Sequence, residues 1–504
     1  MMGFDDPFYG YSFIVRAIVY GLVPLFTAGQ FVRLRRALHV FQLEGYKRAR
    51  FLDWCRVRRP LFLRRGTAKK PLVMTGRAWR ILVTATVLSV ALVLMPAAAA
   101  HLAAGAPWDL IAWATSTVLA FFAVPALLVS ADFLLQPVQG AINARFRARA
   151  TEKLTTIGPT VVGITGSFGK TSTKFAVRDL AGTGGRAFAT PGSYNTPMGV
   201  TRAINEGLEP AHDLLVVEMG AYRKGDIAEL CAFVKPSIGV LTAIGPAHLE
   251  RFGSLDAIRA AKYELIEALP ADGVAVMNVD DADVRTLAEG TRGNLIRYGL
   301  DPEGRPDVTA SDVATTRSGS RFTLHVAGLD LPVTTRLLGR FAIGHVLAGI
   351  AVARALDRPL DGLVSAIAAL EPVEHRLQLI EGTRGVTVID DAFNSNPEGA
   401  TAALEVLDDM PAAKRIVVTP GMIELGPLQD EANRSFGERA GRIADVVIVV
   451  SKINRAALVA GASGERAEVI VVDTLADATE RLGGLLSSGD VVLFENDLPD
   501  HYEI

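Results

Sequence analysis

Long apolar runs without charge distinguish the first 150 residues of the chain from the rest. Residues 81–100 and 110–130 contain no charged side chain, and a transmembrane helix needs about 20 such residues. A weaker run at 12–28 includes Arg16 and Pro24, which favours a short span or a helix lying in the membrane interface. The pattern predicts a helical transmembrane module over residues 1–153, with two spans and a possible third.

After residue 153 the hydrophobic pattern is typical of a soluble α/β protein. Short runs of β-branched residues alternate with glycine turns and alanine-rich helices. The pattern predicts two α/β domains, 154–370 and 371–504. Antiparallel strands are expected near 305–336 in the first domain, and a Rossmann-like alternation of strands and helices in the second.

Charge gives the apolar runs an orientation. Between Arg33 and Arg80 there are fifteen Lys and Arg residues against Glu44 and Asp53, so the positive-inside rule places this basic segment, 33–80, in the cytoplasm. Its basicity is explained either by topology and attraction to anionic membrane lipid or by docking of a phosphorylated lipid substrate. The net charge of −2 does not favour a nucleic-acid partner. Two cysteines far apart in sequence indicate neither a disulfide framework nor a zinc site.

The stretch GPTVVGITGSFGKTSTKF, residues 158–175, combines a predicted buried strand, a glycine turn and a helix that begins at Lys170. This is the setting of a P-loop, in which helix N–H groups hold phosphate oxygens, a lysine adds charge and a hydroxyl such as that of Thr171 binds Mg²⁺. The standard pattern has a glycine where Ile164 stands. By itself, the stretch is either a phosphate cradle or a glycine turn that caps a helix.

Later segments favour the phosphate cradle. Glu218 ends a buried apolar run, which is where a second Mg²⁺ ligand belongs after a P-loop. His248 follows another predicted strand, and ligands gather at the carboxyl ends of strands in α/β sheets. Lys262 lies on a predicted helix among apolar residues, where a lysine most often snorkels to the surface. The segments together predict a nucleotide site.

These segments resemble those of a known family. TGSFGKTS resembles the T-G-[ST]-x-G-K-[ST] P-loop of the Mur ligases, the ATP-dependent amide ligases of peptidoglycan precursor synthesis, whose first glycine lies closer to the lysine than in the standard pattern. EMGAYRKGDIAEL, IGPAHLERFGS, IDDAFNSNPEG and GMIELG resemble, in the same order, segments of the family branch that adds D-alanyl-D-alanine. The resemblance covers about residues 155–500.

The resemblance implies a role for each matching position. Lys170, Asn195, His248 and Lys262 would serve catalysis, with Lys262 carbamylated. Mg²⁺ would be held by Thr171, Glu218, His248 and Lys262. The implied ATP-binding residues are Thr165, Gly166, Ser167, Gly169, Lys170, Thr171, Ser172, His345, Arg376 and Asp391, and the implied cleft residues are Asn394 and Asn396.

The chain departs from the family pattern in three ways. The membrane module replaces the soluble domain that binds the UDP end of the substrate, which leaves UDP-linked, lipid-linked and polymeric carboxylate donors open. Ala342 and His345 stand where the family has asparagines, so His345 is expected to stack on the base or hydrogen-bond to it. The run 495–497, Glu-Asn-Asp, replaces Lys-Gly-Ser, which favours a cationic or amine-rich substrate.

The resemblance implies a ligase that uses ATP and Mg²⁺, and the apolar runs with the basic segment predict that it is anchored in the bacterial inner membrane with its catalytic domains in the cytoplasm. It would activate the carboxylate of a small-molecule or lipid-linked peptide precursor as an acyl phosphate. An amine such as D-Ala-D-Ala, a D-amino-acid dipeptide, would then form the amide. Two alternatives remain open: a ligase that forms a polymer such as poly-γ-glutamate, and a nucleotide-binding membrane scaffold.

Overall fold

The computed structural model describes residues 7–58, 62, 71–104, 108–182, 186–316, 318–393 and 395–497 of the 504-residue chain. The chain divides into two compact units, one within Met1–Ala144 and the other over Arg145–Leu498. Each unit has a hydrophobic core of its own.

The first unit is built from helices. They are α1 (Pro7–Leu43), α2 (Arg48–Arg58), α3 (Gly76–Ala104), α4 (Trp108–Phe122) and α5 (Val124–Leu134), and α6 (Gln136–Ile157) leads into the second unit. Phe41 of α1 and Phe51 of α2 are fully buried, with ring centroids 4.9 Å apart. Buried Asp132 of α5 accepts a hydrogen bond from Arg77 of α3 at 2.9 Å. Asp132 would be costly to bury without a partner of opposite charge. The ion pair therefore holds α3 against α5.

Helix α3 carries most of the predicted membrane character. Among the described residues it alone is long and apolar enough to cross a membrane as one straight helix. The predicted span 110–130 is instead divided into α4 and α5, which bend by 79°. Pro125, in the first turn of α5, lacks an N–H and its ring clashes with the carbonyl four residues earlier, which favours a bend at this point. The possible span 12–28 lies inside α1, and the transmembrane assignment of the module stays a prediction.

Two sheets form the second unit, and the larger contains nine strands. They are β1 (Thr160–Thr165), β2 (Ala187–Ala189), β3 (Leu214–Glu218), β4 (Ile238–Leu241), β5 (Val274–Asn278), β6 (Asn294–Tyr298), β7 (Val308–Thr316), β8 (Gly319–Val326) and β9 (Leu329–Thr335). The order is β2-β3-β1-β4-β5-β6-β7-β8-β9, and the strands from β2 to β7 pair in parallel. Strands β7, β8 and β9 are antiparallel, which confirms the prediction for 305–336.

Helices cover both faces of the parallel part of this sheet. They are α7 (Lys170–Ala181), α8 (Pro197–Gly207), α9 (Asp226–Val234), α10 (Leu249–Phe252), α11 (Leu255–Glu267), α12 (Ala282–Gly290), α13 (Gly339–Ala355) and α14 (Leu363–Ala368). One core lies between the sheet and the pair α7 and α13, and another lies on the α8 and α9 side. Burial on both faces explains why β3 is apolar at every position before Glu218.

The smaller sheet forms the C-terminal part of the second unit. Its strands are β10 (Gln378–Glu381), β11 (Thr387–Asp391), β12 (Arg415–Thr419), β13 (Val446–Val450), β14 (Glu468–Val472) and β15 (Val491–Glu495), in the order β10-β11-β15-β12-β13-β14. Only β10 is antiparallel to its neighbour within the described sheet. Helices α15 (Pro397–Asp409), α16 (Gln429–Ile443), α17 (Arg455–Ala462) and α18 (Leu475–Leu485) alternate with the strands, as the Rossmann-like pattern predicts.

Candidate active site

The turn between β1 and α7 has the backbone of a phosphate cradle. Gly166 has a φ of 153° and Gly169 a φ of 79°, and a Cβ on Gly166 would lie 2.0 Å from the hydroxyl oxygen of Thr242. Ile164 is fully buried and pairs with Val240 of β4. It is therefore a core residue of the strand, and the turn proper begins at Gly166. The first N–H groups of α7 can donate to phosphate oxygens.

Gly166→Ala is expected to destabilise the second unit, by about 1–3 kcal/mol, because overpacking a tight site forces its neighbours to move. The added methyl would displace Thr242, whose hydroxyl donates to the carbonyl oxygen of Phe168 in the turn at 2.6 Å. Denaturant unfolding of the purified full chain measures the change. Gly483→Ala on α18 is the control, because nothing lies within 4 Å of its Cβ position. Equal stability of the two variants would contradict the prediction.

Lys170 lies at the mouth of the cradle. Its ammonium donates to the carbonyl oxygens of Gly166 at 2.8 Å and Ser167 at 3.1 Å. Burial lowers the pKa of Lys170, the nearby charge of Glu218 opposes that effect, and the charge of Arg376 adds to it. Lys170 of the P-loop and Arg376, which precedes the second sheet, are thus close enough for their charges to interact.

The neighbouring cradle residues hold the turn against the sheet. Thr165 donates from its hydroxyl to the carbonyl of Met219 at 2.9 Å. The Ser167 hydroxyl donates to the carbonyl of Gly245 at 3.0 Å and accepts from its N–H at 2.9 Å. Ser172 follows in the first turn of α7. Thr165 and Ser167 therefore position the cradle through their own hydroxyl groups.

Glu218 is the centre of the polar contacts beside the cradle. Its Oε2 accepts a hydrogen bond from the Thr171 hydroxyl at 2.9 Å and one from the Lys174 ammonium at 3.2 Å. Its Oε1 accepts from the Asn195 amide at 3.0 Å. Burial alone would raise the pKa of Glu218, but the charges of Lys174 and Lys170, with the Asn195 and Thr171 hydrogen bonds, hold it below its usual value. The buried carboxylate is therefore ionised.

Thr171 and Glu218 fit a Mg²⁺ ion by their chemistry. Both present oxygen atoms, which Mg²⁺ prefers, and Mg²⁺ is usually held by one or two protein oxygens together with substrate phosphates. In the described ranges, no three His, Cys, Asp or Glu side chains lie close enough together to hold a metal by themselves. The pair therefore suits a cation that reaches the site with a phosphate ligand.

His248 lies in the loop after β4 and contacts a carboxylate from the C-terminal part of the unit. Its Nδ1 is 2.7 Å from Glu424 Oε2, and the Arg251 guanidinium donates to Glu424 Oε1 at 2.8 Å. The imidazole also lies beside the Tyr222 ring, with centroids 5.0 Å apart. Glu424 can orient the imidazole through Nδ1, which leaves the other ring nitrogen, Nε2, in position to bind a ligand. The proposed role of His248 in metal binding stays a prediction.

Lys262 is buried in α11, against the expectation that it would snorkel to the surface. Its side chain is 4% exposed, and its ammonium lies 5.9 Å from the centroid of the Phe252 ring. Burial, with the charge of Lys170, lowers the pKa of Lys262 to about 7, against the opposing charges of Asp226 and Glu264. Lys262 is not on the surface, as the sequence suggested, because it lies on the buried face of α11 beside the Phe252 ring. A neutral amine at this position can react with carbon dioxide.

His345 packs beneath the P-loop. A Cβ on Gly169 would lie 2.9 Å from its Cε1, and its Nδ1 is 3.0 Å from the Thr173 hydroxyl. Burial, with the charge of Arg376, lowers the pKa of His345 to about 4, so the ring is neutral at pH 7. The imidazole thus joins α13 to α7, while its predicted contact with the base stays a prediction.

A cavity of about 550 Å³ lies beside this aromatic contact. The Phe341 ring lines it, and its centroid is 5.0 Å from that of His345 and 6.1 Å from that of Phe168. The remaining lining residues come from the ends of β5 and β6, the start of α13, and α15; they are Asp280, Leu300, Asp301, Arg340, Pro397, Glu398, Thr401, Ala402 and Glu405. A cavity at the carboxyl ends of parallel strands is where a nucleotide base would be expected.

Arg376 and Asp391 bring the C-terminal sheet to the site. The Arg376 guanidinium lies 4.5 Å from the centroid of the Phe393 ring, and its pKa is lowered by burial and raised by the charges of Asp391, Glu218 and Glu495, with burial the larger effect. Asp391 Oδ1 accepts from the Leu377 N–H at 3.0 Å. The charge of Arg376 affects the pKa of Lys170, and the charge of Asp391 affects the pKa of Arg376. These three predicted residues therefore belong to one site.

Glu495 replaces the family lysine at the end of β15 and is 1% exposed. It is in register with Asp391 of β11 and hydrogen-bonds to the Ser395 hydroxyl. Burial, and then the charge of Asp391, raise the pKa of Glu495 well above its usual value. The buried Glu495 carboxyl group therefore binds a proton more readily than an exposed glutamate does.

The two predicted cleft asparagines differ in what the structure says of them. Asn396 caps α15, because its Oδ1 accepts from the Gly399 N–H at 2.9 Å. An asparagine before a proline at a helix start is a common N-cap pattern, so this role was readable from the sequence. Asn394 lies outside the described residues.

Lys174 and Glu424 were not predicted from the sequence. Lys174 follows Lys170 by four residues, which places both side chains on one face of a helix. Glu424 belongs to the GMIELG segment that already matched the family. Both signals were present, but only the tertiary structure shows which partner each side chain meets.

A strand, glycine turn and helix beside a buried carboxylate, followed by a second parallel sheet, define a P-loop nucleotide-dependent enzyme of two α/β domains. The family model for the Mur ligase middle domain matches residues 164–353, and that for the Mur ligase, glutamate ligase domain matches 375–495. The chain therefore belongs to the Mur ligase family, the ATP-dependent ligases that form amide bonds in peptidoglycan synthesis.

Relatives and solved structures place the chain near one branch of this family. It is 34% identical over 377 residues to the UDP-N-acetylmuramoyl-tripeptide–D-alanyl-D-alanine ligase of Mycobacterium tuberculosis (strain ATCC 25618 / H37Rv), covering 70% of this chain and 73% of the relative. The Escherichia coli (strain K12) ligase of the same name is 33% identical over 307 residues, 60% of this chain and 67% of the relative.

The fold shows the same likeness. The structure of MurF ligase from Thermotoga maritima in complex with ADP matches with a TM-score of 0.64 and 30% identity, over 70% of this chain and 80% of that one. MurF from Acinetobacter baumannii matches with a TM-score of 0.63 and 25% identity, over 70% and 77%. The chain is thus a MurF-type Mur ligase, and these matches do not support the polymer-forming or scaffold alternatives.

Proposed function

We propose that the chain couples the carboxylate of a muramoyl-type tripeptide precursor to the amine of D-Ala-D-Ala. The names of its relatives support the two substrates. The observation that carries the proposal is the joint engagement of Glu218 by Thr171 and Asn195 directly beside the cradle. A scaffold would not need a buried, ionised carboxylate at this point.

The chemistry begins with attack of a carboxylate oxygen on the γ-phosphorus of ATP. The new O–P bond forms as the bond to the β,γ-bridging oxygen breaks, which gives an acyl phosphate and ADP. The amine then attacks the acyl carbon, inorganic phosphate leaves, and the nitrogen loses a proton. Catalysis of phosphoryl transfer is mostly positioning and charge stabilisation.

The chain's own residues supply that positioning. Lys170 and the first N–H groups of α7 orient the β- and γ-phosphates, and Arg376 adds a second positive charge from the C-terminal domain. Thr171 and Glu218 would hold Mg²⁺, with His248 and a carbamylated Lys262 as further ligands. Bound Mg²⁺ would neutralise charge on the phosphates. Asn195 keeps Glu218 in place through its amide hydrogen bond.

The nucleotide base would enter the cavity next to Phe341. Its volume of about 550 Å³ admits a purine with part of the ribose. Phe341 offers a ring face for stacking, a contact worth about 1–3 kcal/mol for a base on an aromatic side chain. Asp391 and Arg376 would meet the sugar and phosphates on the C-terminal side.

A coupled assay tests the ligase. The purified full chain with ATP and Mg²⁺ should release phosphate only when a carboxylate donor and D-Ala-D-Ala are both present. A UDP-linked tripeptide and a lipid-linked tripeptide are offered as separate donors. Glu218→Gln is expected to remove the phosphate release. The proposal would be contradicted if phosphate were released without any amine. It would also be contradicted if no amide formed with either of the two donors.

We also propose that the first unit anchors the enzyme in the bacterial inner membrane, with the catalytic domains in the cytoplasm. Side chains on α3 support this, because Val83, Val87 and Met95 are 52%, 60% and 69% exposed on a helix without charge over 81–100. Exposed apolar surface of this kind is rare on a soluble monomer and suits lipid. The basic segment 33–80 would contact anionic lipid headgroups on the cytoplasmic side.

Membrane fractionation tests the anchor. The full chain should stay with washed membranes in high salt and in alkaline carbonate, and should be released by detergent. Salt alone would release a chain that is held only by its basic segment, because salt screens surface charge. Protease added to inverted membrane vesicles should digest the catalytic domains. Recovery of the chain in the soluble fraction would contradict the proposal.

A further inference from the structure

Lys174 is a second lysine of the P-loop helix, one turn beyond Lys170, and it is 0% exposed. Side chains on a helix lean towards its N-terminus, so this side chain carries its ammonium back towards the cradle. There the ammonium donates to Glu218 Oε2 at 3.2 Å and to the carbonyl oxygen of Gly192. The lysine therefore ends between the P-loop helix and two other segments.

These two acceptors belong to different parts of the site. Glu218 ends β3, and Gly192 lies in the loop between β2 and α8. The same loop presents Asn195, which donates to the other oxygen of Glu218, and the Gly220 N–H donates to the Asn195 carbonyl at 2.9 Å. One ammonium thus ties the helix, the carboxylate and the asparagine loop together.

The contacts distinguish Lys174 from Lys170. Lys170 donates to carbonyls of the cradle itself, at the place where phosphates would bind. The Lys174 ammonium already donates to Glu218 and to the Gly192 carbonyl, so it pairs with the carboxylate and not with a phosphate. A fully buried ammonium is costly unless it is paired and hydrogen-bonded, and an apolar side chain of similar length would fill the space without that cost.

We propose that Lys174 is a positioning residue that holds Glu218 and the Asn195 loop in the arrangement in which Glu218 and Thr171 bind a divalent cation together. The inference rests on the proposed function, because it assumes that Thr171 and Glu218 are the cation ligands. Residues that orient metal ligands typically change metal affinity by about 10–100-fold when they are replaced.

Binding of Mn²⁺ to the full chain with ADP, followed by electron paramagnetic resonance, tests this inference without turnover. Lys174→Met is expected to weaken Mn²⁺ binding by about tenfold or more, while ADP binding in EDTA changes less than threefold. Lys174→Arg, which keeps the charge, should bind Mn²⁺ more tightly than Lys174→Met. Lys414→Met is the control, because the Lys414 ammonium donates to the Leu485 carbonyl and has no carboxylate partner among the described residues.

A double-variant cycle separates positioning from simple stability. Asn195→Ala and Lys174→Met act on one carboxylate, so their effects on Mn²⁺ affinity should be strongly non-additive. If the two effects multiply, or if Lys174→Met binds Mn²⁺ as well as the wild type, the inference is wrong. If Lys174→Met does not fold, Lys174→Gln takes its place with the same expected loss. Failure of the wild type to bind Mn²⁺ would instead overturn the proposed function.

Discussion

Lys170→Ala is expected to lower kcat/KM for ATP by about 10³-fold or more, which is the scale seen when a charge-stabilising group of phosphoryl transfer is lost. The Lys170 ammonium lies over the cradle carbonyls, where the β- and γ-phosphates would displace those contacts. Its removal leaves the helix N–H groups without the point charge that complements the transferring phosphate. ADP affinity, measured by calorimetry, should fall together with turnover.

Lys452→Ala is the matched control for Lys170→Ala, because Lys452 is 75% exposed and its ion pair is with Asp473 at 3.9 Å. An exposed ion pair contributes about 0–1 kcal/mol, so this variant should keep normal turnover and ADP binding. Turnover of Lys170→Ala within tenfold of the wild type would show that the turn is only a helix cap.

Lys262→Ala is expected to lower kcat by about 10²-fold or more, because it would remove the proposed carbamate ligand of the cation and leave a cavity in α11. Carbamylation turns a cation into an anionic oxygen ligand and consumes a neutral amine. The pKa of about 7 leaves a large neutral fraction at pH 7 and above. Wild-type activity should therefore fall in buffer stripped of carbon dioxide and recover with bicarbonate.

The Lys262→Ala enzyme should not respond to bicarbonate at all. Lys262→Met fills more of the cavity and separates packing from chemistry: it should restore the free energy of unfolding without restoring turnover. Full ligation by Lys262→Ala, or a wild type indifferent to bicarbonate, would show that the lysine has a structural role only.

The parts that local backbone geometry decides were predictable from the sequence. Gly166 and Gly169 stand at positions with positive φ, and the apolar runs before Glu218 and after residue 445 became buried parallel strands. The family segments lie in the order that two α/β domains require. These features depend on residues close together in the chain.

The features that depend on distant residues were not predictable. Lys262 looked like a surface lysine, and only the packing of α11 shows its burial. The partner of His248 lies 176 residues away at Glu424. The 79° bend between α4 and α5 was not predicted from the uncharged apolar run, although Pro125 lies beside it. Side-chain partners of this kind are decided by tertiary contacts, which no periodicity encodes.

Glu424 has a consequence for how the enzyme can work. It belongs to the segment matched by the C-terminal family model, while His248 and Arg251 belong to the segment matched by the middle-domain model. A chain with these two domains held apart would leave the imidazole without its carboxylate. Docking of the C-terminal domain therefore supplies the carboxylate that contacts His248, so the hydrogen bonding of this imidazole depends on how the two domains meet.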